Sequence, residues 1–132
     1  MDSASLQTYG VGSWMAFTRD TEPAVLANLP SAVGLYVILL DEHAVCRRGT
    51  SDIAYIGKAT NRGGLRGRVR QYFHPGPTQS TNIAMRCRLN ALGCALRIGF
   101  TSSDSGPAAR RLESDLLIAF EKEHGQLPPY NK

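Results

Sequence analysis

Tyrosine, lysine and arginine side chains occur close together near the middle of the chain, in a spacing suited to binding a phosphate. Tyr55 and Lys58 end a short apolar run, and a glycine-rich loop and a basic segment follow them. In that segment Arg68 and Tyr72 are four positions apart, so on a helix they share one face. Because arginine and lysine bind phosphate oxygens readily, this spacing predicts an anion-binding site. A solvated basic helix is the alternative.

A single carboxylate near the end of the chain lies among apolar residues. Glu113 comes three and four positions before Leu116 and Leu117, so on a helix it leans onto a buried stripe. Carboxylates are seldom buried without a partner. Three roles are open for Glu113: a metal ligand, a buried charge facing the basic site, or a carboxylate at the edge of the stripe that an arginine neutralises.

The charge of the chain is divided unevenly along its length. Residues 43–103 contain ten basic residues and one acidic residue, whereas the remainder contains five basic and ten acidic residues. Twelve of the fifteen basic residues are arginine, the cation best suited to phosphate. A basic middle between acidic flanks is typical of a surface that binds a polyanion, and nucleic acid is the expected partner.

Length and composition indicate one soluble domain. The chain has 132 residues, 42% of them hydrophobic, which is enough for one buried core. The longest apolar stretch, 32–40, is far too short to cross a membrane, and the N-terminus shows no secretory signal. Three cysteines without a CxxC spacing favour reduced thiols. We therefore expect a cytoplasmic protein that does not bind membranes.

Hydrophobic periodicity and capping residues predict the elements that position these side chains. Residues 1–19 have weak periodicity and are expected to be partly irregular. A polar connection, 41–52, joins the first two strands, and its residues 44–46 could extend the first strand. Since this connection contains no helix, the two strands are predicted to be antiparallel. The predicted elements are a helix at 21–29, strands at 34–40 and 53–58, helices at 65–73 and 82–92, a strand at 94–100 and a helix at 107–124.

Five short motifs occur in one order, and together they resemble the GIY-YIG nuclease superfamily, especially the N-terminal nuclease domain of the bacterial excision-repair incision subunit. The motifs are Gly34-Leu35-Tyr36, Tyr55-Ile56-Gly57-Lys58, Leu65-Arg66-Gly67-Arg68-Val69-Arg70-Gln71-Tyr72-Phe73, Leu112-Glu113-Ser114-Asp115-Leu116-Leu117 and Pro129-Tyr130-Asn131. The resemblance covers residues 29–132 and leaves 1–28 as an N-terminal extension with a short helix. It implies a small α+β domain with a central three-stranded antiparallel sheet flanked by helices.

The resemblance also implies a catalytic set, in which Glu113 is the single ligand for Mg²⁺ or Mn²⁺. Tyr36 is favoured as the residue that orients or deprotonates water, with Tyr55 as its partner or as the alternative base. Beside a metal, a lysine and an arginine, the pKa of Tyr36 is expected to fall. The implied catalytic residues are Tyr36, Tyr55, Lys58, Arg68, Tyr72, Glu113 and Asn131. Nucleic-acid contacts are expected from Arg62, Arg66, Arg70, Arg86 and Arg88.

Three departures from the family pattern affect this assignment, and one of them is a last helix that is longer before Asn131 than in the repair domain. The interval between the two tyrosine motifs is longer than usual because of residues 41–52. The loop after Lys58 carries two extra residues, Gly63 and Gly64, so the choice of Arg68 over Arg66 rests on its spacing to Tyr72.

The expected function is that of a metal-dependent endonuclease acting on duplex, branched or single-stranded DNA. Structure-selective or weakly sequence-specific cleavage is expected, with nicking by a monomer, or double-strand cutting by a transient homodimer. A protein partner could supply specificity. The alternative is a non-catalytic nucleic-acid-binding module with the same fold.

Overall fold

An antiparallel β-sheet forms the centre of the molecule. The computed structural model describes residues 1–74 and 95–131. Within them the strands are β1 (Gly12–Phe17), β2 (Gly34–Val45), β3 (Thr50–Ala59) and β4 (Leu96–Ser102). They form a four-stranded sheet in the order β1-β4-β2-β3. Every pair of neighbouring strands is antiparallel, which confirms the small α+β architecture.

Strands β2 and β3 form one long hairpin. The predicted extension of the first strand is confirmed, but the polar connection at 41–52 was wrong in extent, because β2 continues to Val45 and β3 begins at Thr50. Residues 41–45 are mostly exposed, and Val45 is 85% exposed. The strands pair there through backbone groups while their side chains stay mostly in solvent. The sequence therefore has no apolar pattern in this segment from which a strand could be predicted.

Part of the N-terminal segment belongs to the sheet, because residues 12–17 form a strand that the weak periodicity of 1–19 did not predict. Strand β1 pairs with β4, so the sheet has one strand more than the three that were predicted. Leu6, Val11 and Phe17 are fully buried. The register shifts between Gly12 and Met15, and this irregularity breaks the alternation by which a strand is recognised in a sequence.

Three α-helices in the described residues cover the two faces of the sheet: α1 (Glu22–Asn28), α2 (Gly64–Phe73) and α3 (Gly106–His124). Their bounds agree with the predicted ones to within one residue. A proline in the first turn starts α1 and α3, and Gly125 in the left-handed conformation ends α3. The predicted helix at 82–92 lies outside the described residues.

Strand β2 lies between two apolar layers. Its even-numbered residues Tyr36 and Ile38 share a buried cluster with residues of α1 and α2. Its odd-numbered residues Leu35 and Val37 share another with Leu116 and Phe120 of α3. A strand buried on both faces has a continuous apolar run, which is why 34–40 was recognised. No helix in the described part of the chain is long and apolar enough to span a membrane.

Candidate functional site

A cleft of about 370 Å³ opens where β3, α2 and α3 approach one another. Tyr55 and Lys58 line it from β3, Arg68 from α2 and Glu113 from α3. These four predicted site residues are thus brought together from three elements. The other residues lining the cleft are Ala59, Thr60, Asn61, Gly63, Gly64, Gly67 and Gln71.

The position of β3 at the edge of the sheet explains why its side chains converge. Successive residues of a strand point to opposite faces. Tyr55 packs against the cluster on the α1 and α2 side, whereas Lys58 reaches Glu113 of α3 on the other side. Because β3 has a neighbouring strand on one side only, both side chains border one cleft that wraps around its edge.

The start of α2 is held against the segment that precedes β2. The backbone N–H of Leu65 donates to the carbonyl of Ala32, and that of Arg66 donates to the carbonyl of Pro30, both at 2.9 Å. Gly64 has a φ of +62°, and a Cβ there would lie 2.0 Å from the carbonyl oxygen of Ser31. This position therefore requires glycine, and the contact fixes which face of α2 turns toward the cleft.

Glu113 forms an ion pair with Lys58. The Lys58 Nζ donates to Glu113 Oε1 at 2.9 Å, and the two side chains are 36% and 16% exposed. Of the three roles open for Glu113, a neutralised carboxylate at the edge of the apolar stripe is present in the structure. Its partner is Lys58, whereas that alternative named an arginine.

Arg68 is positioned by two neighbours on its own helix. Its Nη1 donates to Gln71 Oε1 at 2.6 Å, and its guanidinium carbon lies 6.0 Å from the ring centroid of Tyr72, within reach of a cation–π interaction. Gln71 was missed as a site residue. The i, i+3 spacing from Arg68 could have found it, because residues three apart on a helix are neighbours.

Tyr36 and Tyr72 lie behind the cleft, in the core. Their hydroxyl oxygens are 2.8 Å apart, and the two side chains are 0% and 1% exposed. Burial raises the pKa of Tyr36 well above its ordinary value of 10.0, and the neighbouring Tyr72 and Tyr55 raise it further. The surroundings provided by the protein thus act against the predicted fall of this pKa, and Tyr55 is the tyrosine that faces the cleft.

Gly57 allows the motif tyrosines to lie side by side. The ring centroids of Tyr36 and Tyr55 are 6.0 Å apart, and Gly57 is paired with Tyr36 across the hairpin. A Cβ at Gly57 would lie 2.6 Å from atoms of both rings. Only a residue without a side chain fits between them.

Two of the predicted site residues are engaged in structural contacts. The Asn131 amide bonds the backbone of Ile56 twice, accepting from its N–H and donating to its carbonyl, each at 2.9 Å. Arg66 Nε donates to the carbonyls of Leu26 and Leu29 at the end of α1. Asn131 therefore holds the C-terminal tail on the edge of β3, and Arg66 satisfies carbonyls that α1 leaves unpaired.

The other predicted nucleic-acid contacts divide into two groups. Two of them are exposed: Arg62, which lies in the loop between β3 and α2, and Arg70, which lies in the last turn of α2. Both can meet a ligand from solvent. Arg86 and Arg88 lie outside the described residues.

The donors in the cleft fit a hard divalent cation held by one protein ligand. Mg²⁺ keeps several waters and commonly takes one or two carboxylates, and Glu113 supplies one partly exposed carboxylate. Among residues 1–74 and 95–131, no group of three or more His, Cys, Asp or Glu side chains could form a richer metal site. Glu113 is therefore the residue lining the cleft that could hold such an ion.

Comparison with known proteins yields no assignment. The sequence matches no family model, and no curated protein is significantly similar to it.

Proposed function

We propose that this protein is an endonuclease of the GIY-YIG type that hydrolyses phosphodiester bonds in DNA with one Mg²⁺ or Mn²⁺ ion. The observation that carries the proposal is the convergence of Tyr55, Lys58, Arg68 and Glu113 on one cleft. A phenol, two cations and one carboxylate supply the groups that phosphodiester hydrolysis needs: a group to orient water, donors for the phosphate oxygens and a metal ligand.

Each side chain in the cleft has a role that follows from its contacts. Arg68, held by Gln71 and backed by the Tyr72 ring, binds the non-bridging oxygens of the scissile phosphate and balances the charge that develops on them. Lys58, already close to the carboxylate, donates to the same phosphate. Glu113 would hold the metal, which when bound supplies Lewis-acid stabilisation of the phosphate and the leaving oxygen.

Tyr55 replaces Tyr36 as the residue that we assign to the attacking water. Tyr55 lines the cleft, whereas Tyr36 is fully buried and bonded to Tyr72. A water that attacks a phosphate in the cleft can reach Tyr55, whose hydroxyl oxygen orients it by accepting a hydrogen bond and, in the phenolate form, takes its proton. Tyr36 and Tyr72 then have a positioning role from within the core, because they hold the Tyr55 ring and the Arg68 guanidinium in place.

The surroundings of the cleft favour a polymeric substrate. Arg62, in the loop between the cleft-lining Asn61 and Gly63, and Arg70 of α2 are exposed, and basic residues predominate between 43 and 103. Cations outside the reacting centre attract a chain of phosphates, whereas a small phosphodiester would gain little from them.

The proposal is tested by cleavage of supercoiled plasmid and of labelled flap, branched and single-stranded oligonucleotides, each with Mg²⁺, Mn²⁺ or a chelator. Glu113→Gln is expected to abolish metal-dependent cleavage, while Glu121→Gln, which changes an exposed carboxylate of the same helix, retains it. Tyr55→Phe is expected to lower the cleavage rate by roughly 10²- to 10⁴-fold.

Three results would decide against all or part of this proposal. Cleavage that survives in Glu113→Gln would remove that residue from the reaction. No cleavage of any substrate, together with salt-sensitive DNA binding, would favour the non-catalytic binding module instead. Equal losses in Tyr55→Phe and Tyr36→Phe, with both variants fully folded, would contradict the assignment of the water to Tyr55.

A further inference from the structure

Arg110, in the second turn of α3, lies near Gly106 and the cleft-lining residue Thr60. It precedes Glu113 by three positions, so both residues lie on the same face of the helix. A methyl group at Gly106 would lie 4.0 Å from Arg110 Nη1 and 3.8 Å from Thr60 Cβ. Since Thr60 lines the cleft, these two distances place the guanidinium near the cleft, although Arg110 is not among the lining residues.

The Arg110 guanidinium is exposed and has no ion-pair or hydrogen-bond partner among residues 1–74 and 95–131. Several other cations in the described part of the chain are engaged, among them Lys58 with Glu113, Arg66 with carbonyls of α1, and Arg97 with Asp52 at 3.8 Å. Arg62 and Arg70 are exposed, as Arg110 is. The segment 75–94 contains neither Asp nor Glu, so no side-chain carboxylate from that segment can neutralise Arg110.

The stability of α3 does not account for a cation at this position. The N-terminus of a helix carries partial positive charge and favours acidic side chains. The first turn of α3 has no acidic residue, and Arg110 and Arg111 follow directly. Arg110 therefore adds positive charge one turn from a helix end that has no acidic residue, and the positive potential there attracts an anion that comes from outside the fold.

We propose that Arg110 binds a backbone phosphate of the nucleic acid next to the phosphate held by Arg68 and Lys58. This inference rests on the proposed function and adds a direction to it: the strand crosses the cleft from the α2 side, near Arg62, to the α3 side. Arg110 touches none of the reacting atoms in this arrangement. It fixes the register of the strand, and its removal weakens binding without slowing the bond-breaking step.

The neighbouring residue Arg111 provides a matched control. It has the same charge and is also exposed, but it precedes Glu113 by two positions and therefore lies on the opposite side of the helix. A variant of Arg111 changes the net charge and the helix propensity by the same amount as the same change at Arg110. Any difference in DNA affinity between the two variants therefore depends on where the arginine lies on the helix.

The experiment measures the dissociation constant of a fluorescent DNA duplex over a series of NaCl concentrations, for wild type, Arg110→Gln and Arg111→Gln. Arg110→Gln is expected to bind roughly 5-fold more weakly and to reduce the slope of log K against log salt by about 1. Arg111→Gln should match wild type in both respects. In the cleavage assay, Arg110→Gln should raise KM and leave kcat unchanged.

The possible outcomes separate this inference from the proposed function. If wild type cleaves DNA and the two arginine variants bind it equally well or equally weakly, the Arg110 contact is refuted and the nuclease proposal stands. If kcat falls in Arg110→Gln while KM is unchanged, Arg110 acts on the reaction itself and the positioning role is wrong. If wild type neither binds nor cleaves DNA, both proposals fail.

Discussion

Replacement of Gly57 by alanine tests whether the two motif tyrosines require a residue without a side chain between them. The new Cβ would lie 2.6 Å from Tyr36 Cζ, 2.6 Å from Tyr55 Cε2 and 2.7 Å from the Tyr36 hydroxyl oxygen. The Tyr36 ring has no room to move, because its side chain is fully buried and its hydroxyl is bonded to Tyr72. The methyl group must therefore displace both rings or separate β3 from β2.

The size of the effect follows from two contributions. Overpacking a core by one methyl group costs about 1–3 kcal/mol. Displacing Tyr36 also removes its hydrogen bond to Tyr72, which contributes about 1 kcal/mol. We therefore expect Gly57→Ala to lower the free energy of unfolding by about 3 kcal/mol, equivalent to a fall in Tm of roughly 10 °C for a chain of this length.

Urea unfolding followed by circular dichroism measures this change, and Gly67→Ala is the control. Gly67 lies within α2, and nothing lies within 4 Å of the position its Cβ would take. Because alanine is a better helix former than glycine, Gly67→Ala should stabilise the protein by about 0.5–1 kcal/mol. The two variants should thus shift stability in opposite directions. Gly57→Ala within 0.5 kcal/mol of wild type would refute the packing argument.

Three further predictions concern the core and the ends of the chain. Because burial raises the pKa of Tyr36 above its ordinary value of 10.0, the unfolded chain loses this proton first as the pH rises. The free energy of unfolding from urea titrations should therefore stay level to about pH 9 and decrease above pH 10, with a smaller decrease in Tyr36→Phe; equal decreases would contradict the assignment. Asn131→Ala removes both side-chain bonds to Ile56, so we expect a loss of about 1–2 kcal/mol and faster hydrogen exchange at the Ile56 amide by NMR. Unchanged exchange there would show that the tail does not protect β3. Arg48→Met removes donors to the carbonyls of Lys122 and Glu123 at the end of α3, and we expect thermal unfolding to show a loss of about 1 kcal/mol. Arg47→Met, which keeps its backbone bond to Gln126, should have little effect, and equal losses would argue against a specific cap.

The sequence by itself determined the elements whose signals are local. The run 34–40 was recognised because a strand buried on both faces is apolar throughout. The bounds of α2 and α3 followed from apolar spacing and from proline and glycine at their ends, and the structure agrees with them to within one residue. The same spacing singled out Tyr55, Lys58, Arg68 and Glu113, which the structure places around one cleft.

The tertiary structure decided which side chains face that cleft and which support it. Tyr36 and Tyr55 occur in similar apolar runs, but β2 is an inner strand and β3 an edge strand, so one tyrosine is buried and the other borders the cleft. Strand β1 was missed because its pairing with β4 joins residues about 80 positions apart, and its irregular register leaves no local alternation. The partners of Arg66 and Glu113 are likewise distant in sequence. Residue type and spacing predict what a side chain can do, whereas its burial and partners depend on contacts that form only when the chain folds.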